Sequence, residues 1–345
     1  MRIAYIVPSL VKQGPVIVVF ELVKLLLNKG CDITVFYFDE KEYNLLEFPC
    51  STKKISFTKT IRFQDFDIIH THGLRPDTYI FFHKPLRIKT RFVSTIHNFV
   101  IKDFTTQYNK LVALIFGNLW MFLLKRHDIR VVLSKTALSY YQRWFKKKQL
   151  SYVYNTRCVD ISKTLSDEEK RELQQFKGKA FLLGINAMLT PRKGVDLLLE
   201  SITSITEVRL FIVGDGKSKV ELQQLAQEKG VADRVYFAGY REDAYRYIPY
   251  YDLYMIPSRS EGFPLAMLEA VALKKNIVCS NIPVFKEIFT PKEVTFFDLD
   301  NINTLVDAIK IALKTDKSDS AYQRYLKEYS PEQFAENYLD IYTNN

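Results

Sequence analysis

Short β-rich runs alternate with helix-patterned stretches along nearly the whole chain, and the alternation stops once and begins again. RIAYIVPSL, DITVFYF, DIIHTHG, RFVSTIHN, IRVVLS and SYVYN are runs of branched and aromatic residues, with helical spacing between them in VIVVFELVKLLLNKG and SKTALSYYQRWFKKK. After the polar stretch ISKTLSDEEKRELQQFKGK the pattern restarts. FLLGINAML, VRLFIVGDG, RVYFAGY, DLYMIPS and NIVCS read as strands, VDLLLESI and KSKVELQQLAQEKG as helices. Strands that alternate with helices pair in parallel, and their crossover helices cover both faces of the sheet. Two such series in 345 residues predict an α/β protein of two doubly wound, Rossmann-like domains joined near residues 158–180. Ligands of such sheets bind beyond the carboxyl ends of the strands, so the loops after strands are where chemistry is sought.

Gly30 and Gly230 stand where a left-handed residue closes a helix. Ser330-Pro331 starts a last helix, amphipathic through Phe334, Tyr338 and Ile341, so the tail must dock on something. Cys31, Cys50, Cys158 and Cys279 show no CxxC or Cys/His spacing, which argues against a disulfide framework or structural zinc and for a reducing compartment. MRIAYIVPSL carries no evident secretion signal. The longest apolar run, LVALIFGNLWMFLL at 111–124, is too short to span a bilayer and reads as a core helix. A cytoplasmic protein is expected.

Charge is lopsided. Residues 1–150 carry 24 Lys+Arg against 11 Asp+Glu, while the remainder carries 25 against 28. A basic half implies an anionic partner such as nucleic acid, anionic lipid or a phosphorylated substrate; a solvated basic surface is the alternative. No nucleic-acid module is recognisable, and the basic residues are not interleaved with aromatics on one element, so no nucleic-acid partner is expected.

SRSEGFPLAMLEA, residues 258–270, sets Glu261 and Glu269 in an otherwise apolar run. It follows the strand DLYMIPS. Gly262-Phe263-Pro264 then starts a helix with Pro264 at its first position, so unpaired backbone N–H groups face the ligand edge of the sheet. That is a place for phosphate. A carboxylate accepts two hydrogen bonds from vicinal hydroxyls, so one acid suits a ribose and the other a sugar. Otherwise Glu261 is a charge at a helix start and Glu269 a surface residue.

This segment resembles the E-x7-E motif of retaining, nucleotide-sugar-dependent glycosyltransferases of the GT-B architecture, family 4 (glycosyl transferases group 1). AMLTPRKGVDLLLESI is similar to that family's GRL-x3-KG-x3-LL segment. VGDG, RVYFAGY and IPSRSEGFPLAMLEA follow at the family's spacing, and DIIHTHG, STIHN, VVLSK and VYNTRCVD resemble its landmarks in the first half. The resemblance implies two Rossmann-like domains facing a central cleft: residues 1–160 for the acceptor, with a helix at 331–345 crossing back, and 161–330 for the nucleotide sugar. It implies that Glu269 binds ribose, that Glu261 lies against the donor sugar, and that the backbone of Gly262, Phe263, Pro264 and Leu265 meets sugar and diphosphate. Lys193 would neutralise the leaving diphosphate. His97 would reach the donor sugar, Gly214 would join the donor site, and the loop at Tyr240 and Arg241 would meet the base. Gly14, Pro15 and His72 fall on the acceptor side.

Three departures stand out. Met188 occupies the place of a phosphate-binding arginine, which adjacent Arg192 is expected to replace. Pro15 stands where a second glycine would offer an N–H. Asn155-Thr156-Arg157-Cys158 departs from NGVD. Asp298-Leu299-Asp300 spells a metal–diphosphate signature of other glycosyltransferases, yet it precedes a helical run and reads as a helix start. Asp65 and Asp67 read as structural, and His70 with His72 as packed histidines lacking a third ligand. No metal and no bound cofactor are expected.

The resulting expectation is transfer of a sugar, with retention, from a UDP-linked donor to a saccharide or lipid-linked oligosaccharide of a bacterial surface glycan such as a capsule. The alternatives are a nucleotide-sugar-binding subunit without turnover and a sugar-nucleotide epimerase on the same fold. Lys84, Arg87, Lys89, Arg91, Lys125, Arg126, Arg143 and Lys146–Lys148 surround the 111–124 helix in sequence. A peripheral contact of the basic N-terminal domain with anionic lipid on the inner membrane face follows as a hypothesis.

Overall fold

A computed structural model describes residues 1–101, 105 and 110–344 of the chain. It divides into two compact units, Met1–Thr156 with Tyr329–Asn345, and Arg157–Glu328. The first crossing therefore lies at 156/157 rather than 160/161, and the return at 328/329 rather than 330/331. Asn155 and Thr156 are buried, and Thr156 Oγ1 donates to Tyr329 O (2.7 Å), which ties departing and returning chain to unit 1.

Unit 1 holds a parallel sheet of β1 (Arg2–Ser9), β2 (Asp32–Asp39), β3 (Ser51–Lys54), β4 (Ile68–His72), β5 (Arg91–Ile96), β6 (Ile129–Val132) and β7 (Leu150–Tyr152), in the order β3-β2-β1-β4-β5-β6-β7. Unit 2 holds β8 (Phe181–Asn186), β9 (Val208–Val213), β10 (Val235–Gly239), β11 (Leu253–Ile256), β12 (Ile277–Ser280) and β13 (Thr295–Phe297), in the order β10-β9-β8-β11-β12-β13 and again parallel. In both sheets the order reverses between two adjacent strands, β1/β4 and β8/β11, and the loops after those strands diverge to opposite faces. The sequence pattern missed β3, a fully exposed polar edge strand STKK, and the three-residue β13. The first has no apolar run, and the second, though buried at Thr295 and Phe297, is too short to stand out as a strand.

The last helix runs Pro331–Thr343 with Ser330 as its cap, shorter than the expected 331–345; residue 345 lies outside the described residues. It packs in unit 1, on the helix Gly14–Asn28 and against the sheet. Tyr342 Oη shares hydrogen bonds with Tyr5 Oη (2.9 Å) and His70 Nδ1 (2.7 Å), and Tyr338 Oη with Thr95 Oγ1 (3.1 Å). Tyr342, not Ile341, takes the buried position. Arg91 Nη1 donates to Ile341 O (2.8 Å) and Asn344 O (2.7 Å), a cation at the helix end where carbonyls lack partners.

The helix Lys110–Leu123 corrects the expectation of a core helix. Ala113, Gly117, Trp120, Met121 and Leu123 are buried, but Leu111, Leu114, Ile115, Leu119 and Phe122 recur at helical spacing on an exposed face. Trp120 anchors it: Nε1 donates to Oδ2 of buried Asp77 (2.8 Å), whose Oδ1 accepts from Thr71 Oγ1 (2.6 Å) on β4 and Ser94 Oγ (2.8 Å) on β5. Burial pushes the Asp77 carboxyl up to about 6, and its donors and Arg130 only partly offset that rise. Since the folded value lies above the ordinary 3.8, stability from a neutral Asp77 is complete below about pH 4 and is lost as pH rises through about 6. Denaturant melts of wild type and Asp77→Asn between pH 4 and 7.5 should show wild type losing ~2–3 kcal/mol relative to the variant as pH rises. Parallel profiles would remove this reading.

Candidate active site

The site in unit 2 is built where the sheet order reverses. After β8 the chain makes the turn Pro191–Lys193, passes Gly194 at φ +68° and enters the helix Val195–Ser201. A side chain at Gly194 would collide with Pro257 O, on the loop after β11, so the two loops meet only because this residue lacks a Cβ. Side chains then clip them together. Arg259 N–H donates to Arg192 O (2.8 Å), and its guanidinium donates to Pro191 O (2.7 Å) and to both oxygens of Asp196 (2.8 and 2.5 Å).

Glu261 sits inside this clip with 8% of its surface exposed. Lys193 Nζ (2.6 Å) and Ser258 Oγ (2.7 Å) donate to its Oε1, and Arg192 Nη1 donates to its Oε2 (2.9 Å). Ser258 is held in turn, its carbonyl accepting from Ser280 Oγ (2.6 Å) at the end of β12. Burial alone would raise the Glu261 carboxyl. Lys193 and Arg192 outweigh it and hold the group below the usual carboxylate range. Two cations face one acid, so the cluster keeps a net positive charge for an anion. Met188 is 69% exposed and takes no part, whereas Arg192, expected as its substitute, lies in the cluster.

Beyond Glu261 the helix runs Leu265–Ala272. Pro264 is its cap rather than its first residue: Met267 N–H donates to Pro264 O (3.0 Å), so Leu265 opens the helix. The amides of Leu265 and Ala266 precede Met267, the first intrahelical donor, as at any helix start, and they lie at the carboxyl edge of the sheet. Buried Phe263 fixes the approach to this turn. Glu269, one turn in, accepts from Arg157 Nε through Oε1 (2.7 Å). Both acids act on Tyr254 of β11, whose phenol is pushed up by burial, then by Glu269 and Glu261. Tyr254 therefore marks the ground the two acids share.

The neighbouring strand ends complete this edge. Gly214, after β9, has φ +143° and would strike Ala187 O with any side chain; its N–H donates to Gly239 O (2.8 Å), which sets the β9 loop beside Tyr240. Tyr240 is exposed. Arg241 is engaged by Glu172 (3.5 Å), which limits its freedom to meet a base.

In unit 1, Gly14 and Pro15 are the first residues of the helix after β1, not a loop, and Pro15's missing N–H falls where the helix has no use for one. His72 ends β4 and His97 follows β5; the pairing of those strands brings His72 Nδ1 and His97 Nε2 to 2.8 Å. Burial depresses His97 to about 3, so both rings are neutral at pH 7. His70 is packed: its nitrogens meet Tyr342 Oη and Thr95 Oγ1 (2.8 Å). Asn301 caps the helix Ile302–Lys314 by accepting from Asn303 N–H (3.1 Å), and Asp67 accepts from Arg2 N–H (2.7 Å). Sequence reasoning missed Ser258, Tyr254 and Arg157. The departure from NGVD at Asn155–Cys158 was the one signal for Arg157.

Residues 166–332 match the family Glycosyl transferases group 1, and residues 13–160 match Glycosyltransferase Family 4. The chain is 33% identical to an O-antigen biosynthesis glycosyltransferase, WclY of Escherichia coli, over all of this chain and 98% of that protein. It is 26% identical to an E. coli UDP-Gal:alpha-D-GlcNAc-diphosphoundecaprenol alpha-1,3-galactosyltransferase, over 73% of this chain and 68% of that one. Among solved structures, Anabaena HepE in complex with UDP superposes with a TM-score of 0.83 at 15% identity, covering each chain completely. The expected GT-B architecture is the fold of this chain.

Substituting Gly194 tests the loop geometry. Gly194→Ala should destabilise unit 2 by at least ~1–2 kcal/mol through its left-handed φ and the clash with Pro257 O. A thermal melt indistinguishable from wild type would mean that the loops do not meet as described.

Proposed function

The chain belongs to the glycosyl transferases group 1, family 4 glycosyltransferases, and from that membership we propose that it transfers a sugar from a UDP-linked donor to a lipid-linked saccharide of a bacterial surface polysaccharide, with retention of configuration. The observation that carries the donor half is the Lys193–Glu261–Arg192 cluster beside the open amides of Leu265 and Ala266. It offers a diphosphate two cations and a helix start, with the hydroxyl acceptor Glu269 one turn further on. UDP accompanies the HepE structure and the donor name of the galactosyltransferase relative, which supports the choice of base.

In this reading Glu269 accepts from the ribose hydroxyls. Gly262, Phe263, Pro264 and Leu265 present the turn to sugar and diphosphate. Lys193 and Arg192 counter the charge that grows on the diphosphate as the bond from the sugar's anomeric carbon to oxygen breaks. Glu261 keeps those cations in place and turns its remaining acceptor capacity to the donor sugar. The acceptor hydroxyl attacks the same face, forming the new bond while its proton passes to the departing phosphate oxygen. No protein nucleophile is assigned, and no metal or cofactor is required by these steps. In unit 1 neutral His97, braced by His72, is suited to donate to a sugar hydroxyl, and the Gly14-Pro15 helix start lies on the acceptor side.

The acceptor reading draws on one relative named for O-antigen biosynthesis and another named for a diphosphoundecaprenol-linked sugar. It is supported by the stripe Leu111, Leu114, Ile115, Leu119 and Phe122, exposed on a helix flanked by Lys110, Lys125 and Arg126 in the basic half of the chain. Exposed apolar residues beside cations suit an anionic lipid surface. No described helix is long and apolar enough to cross a membrane, so contact would be peripheral.

Lys193→Ala should lower kcat by about a hundredfold or more, and Arg192→Ala by about tenfold. An indifferent Arg192→Ala would end its role as the replacement for Met188. A thermal-shift series with UDP, ADP, GDP and their sugars should favour UDP, with the gain abolished in Glu269→Ala; no shift with any nucleotide would end the donor reading. Flotation should recover wild type with vesicles containing phosphatidylglycerol but not with phosphatidylcholine alone, and Leu114→Glu/Leu119→Glu should stay at the bottom. Equal recovery on both vesicles, or none, would end the lipid reading.

A further inference from the structure

We infer that Arg157 is a positioning residue for the nucleotide, holding the Glu269 carboxylate turned toward ribose; this deepens the reading above and rests on it. Arg157 is the first residue of unit 2. Its Nε donates to Glu269 Oε1 at 2.7 Å, and the two side chains are only 11% and 15% exposed. Its backbone is pinned separately: Tyr325 Oη donates to Arg157 O at 2.9 Å, and the helix Ser318–Glu328 that carries Tyr325 packs on the helix that carries Glu269. One residue earlier, Thr156 is held by its bond to Tyr329 O. The guanidinium therefore reaches Glu269 from a fixed origin.

A carboxylate offers about four acceptor sites on its two oxygens, and Arg157 Nε uses one of them. Room remains for two vicinal hydroxyls. Without the cation, a mostly buried carboxylate loses both its charge partner and the contact that selects its orientation. Arg157 is assigned no contact with the nucleotide, so its influence runs through Glu269. That distinguishes it from Lys193 and Arg192, which face phosphate.

The test compares Arg157→Met and Arg157→Lys with wild type by calorimetry, using UDP and inorganic pyrophosphate as probes, together with donor kinetics. UDP affinity should fall about tenfold in Arg157→Met while pyrophosphate affinity stays unchanged. Arg157→Lys should recover part of the loss, and the donor KM should rise more than kcat falls. Equal weakening of both probes would make Arg157 a structural residue and overturn the proposal, as would unchanged UDP binding. If Arg157→Met does not fold, the same comparison between Arg157→Lys and Arg157→Gln decides. Wild type that binds pyrophosphate but none of UDP, ADP or GDP would instead overturn the nucleotide reading, and this proposal with it.

Discussion

A carboxylate withdrawn from water must be answered by charge, and in unit 2 the answer to Glu261 dictates the surrounding structure. Lys193 and Arg192 come from the loop after β8, Ser258 from the loop after β11. For their donors to converge, the two loops must approach within backbone contact, which requires Gly194 in its left-handed turn and the Arg259–Asp196 clip behind it. Lengthening or tilting either loop would strand a buried anion, a far larger cost than the loss of any surface pair. The same arrangement leaves two cations for one acid at the mouth of a helix. The residues that answer the buried acid are thus the same ones proposed to meet an anion.

Unit 1 shows a different use of burial. Its strand ends gather neutral polar groups rather than charges: His72 against His97, and His70 between Tyr342 and Thr95. Desolvation strips the imidazoles of their protons, so they exchange hydrogen bonds with their neighbours as neutral rings. The returning helix supplies Tyr338 and Tyr342 to this set, so the last residues of the chain help to shape an edge formed by the first hundred. Asp77 does comparable work behind the sheet, fastening β4, β5 and Trp120, and so presents the other face of the Lys110–Leu123 helix outward.

Much of the candidate site in unit 2 was legible from the order of residues. Glu261 and Glu269 interrupt an apolar run, so local pattern flagged them, whereas Lys193 and Arg192 were reached through the resemblance of AMLTPRKGVDLLLESI to a family segment. Ser258 was hidden because a serine beside a loop acid is unremarkable until the acid is known to be buried. Tyr254 looked like one more aromatic in a strand, and Arg157 like a flaw in a motif. Their roles depend on partners 15 or 112 positions away in the chain. The exact start of the helix after Pro264 was also missed, since proline suits both the cap and the first turn, and only the bond from Met267 N–H distinguishes them.

Alternation of strand and helix, restarted after one polar stretch, was enough to specify two parallel sheets, because parallel neighbours demand a crossover and each crossover must cover a face. It also placed the chemistry at strand ends. Which strands became neighbours, and therefore that His72 would meet His97 or that Arg157 would hold Glu269, was decided in three dimensions. The helix at 111–124 makes the point most plainly: it is apolar on most of its faces in sequence, and the side that is buried is the one carrying Trp120, bonded to Asp77, and Met121, packed in the core. Periodicity records what a segment prefers locally, whereas the partner of a buried charge and the exposed side of an apolar helix are set by packing between segments far apart in the chain.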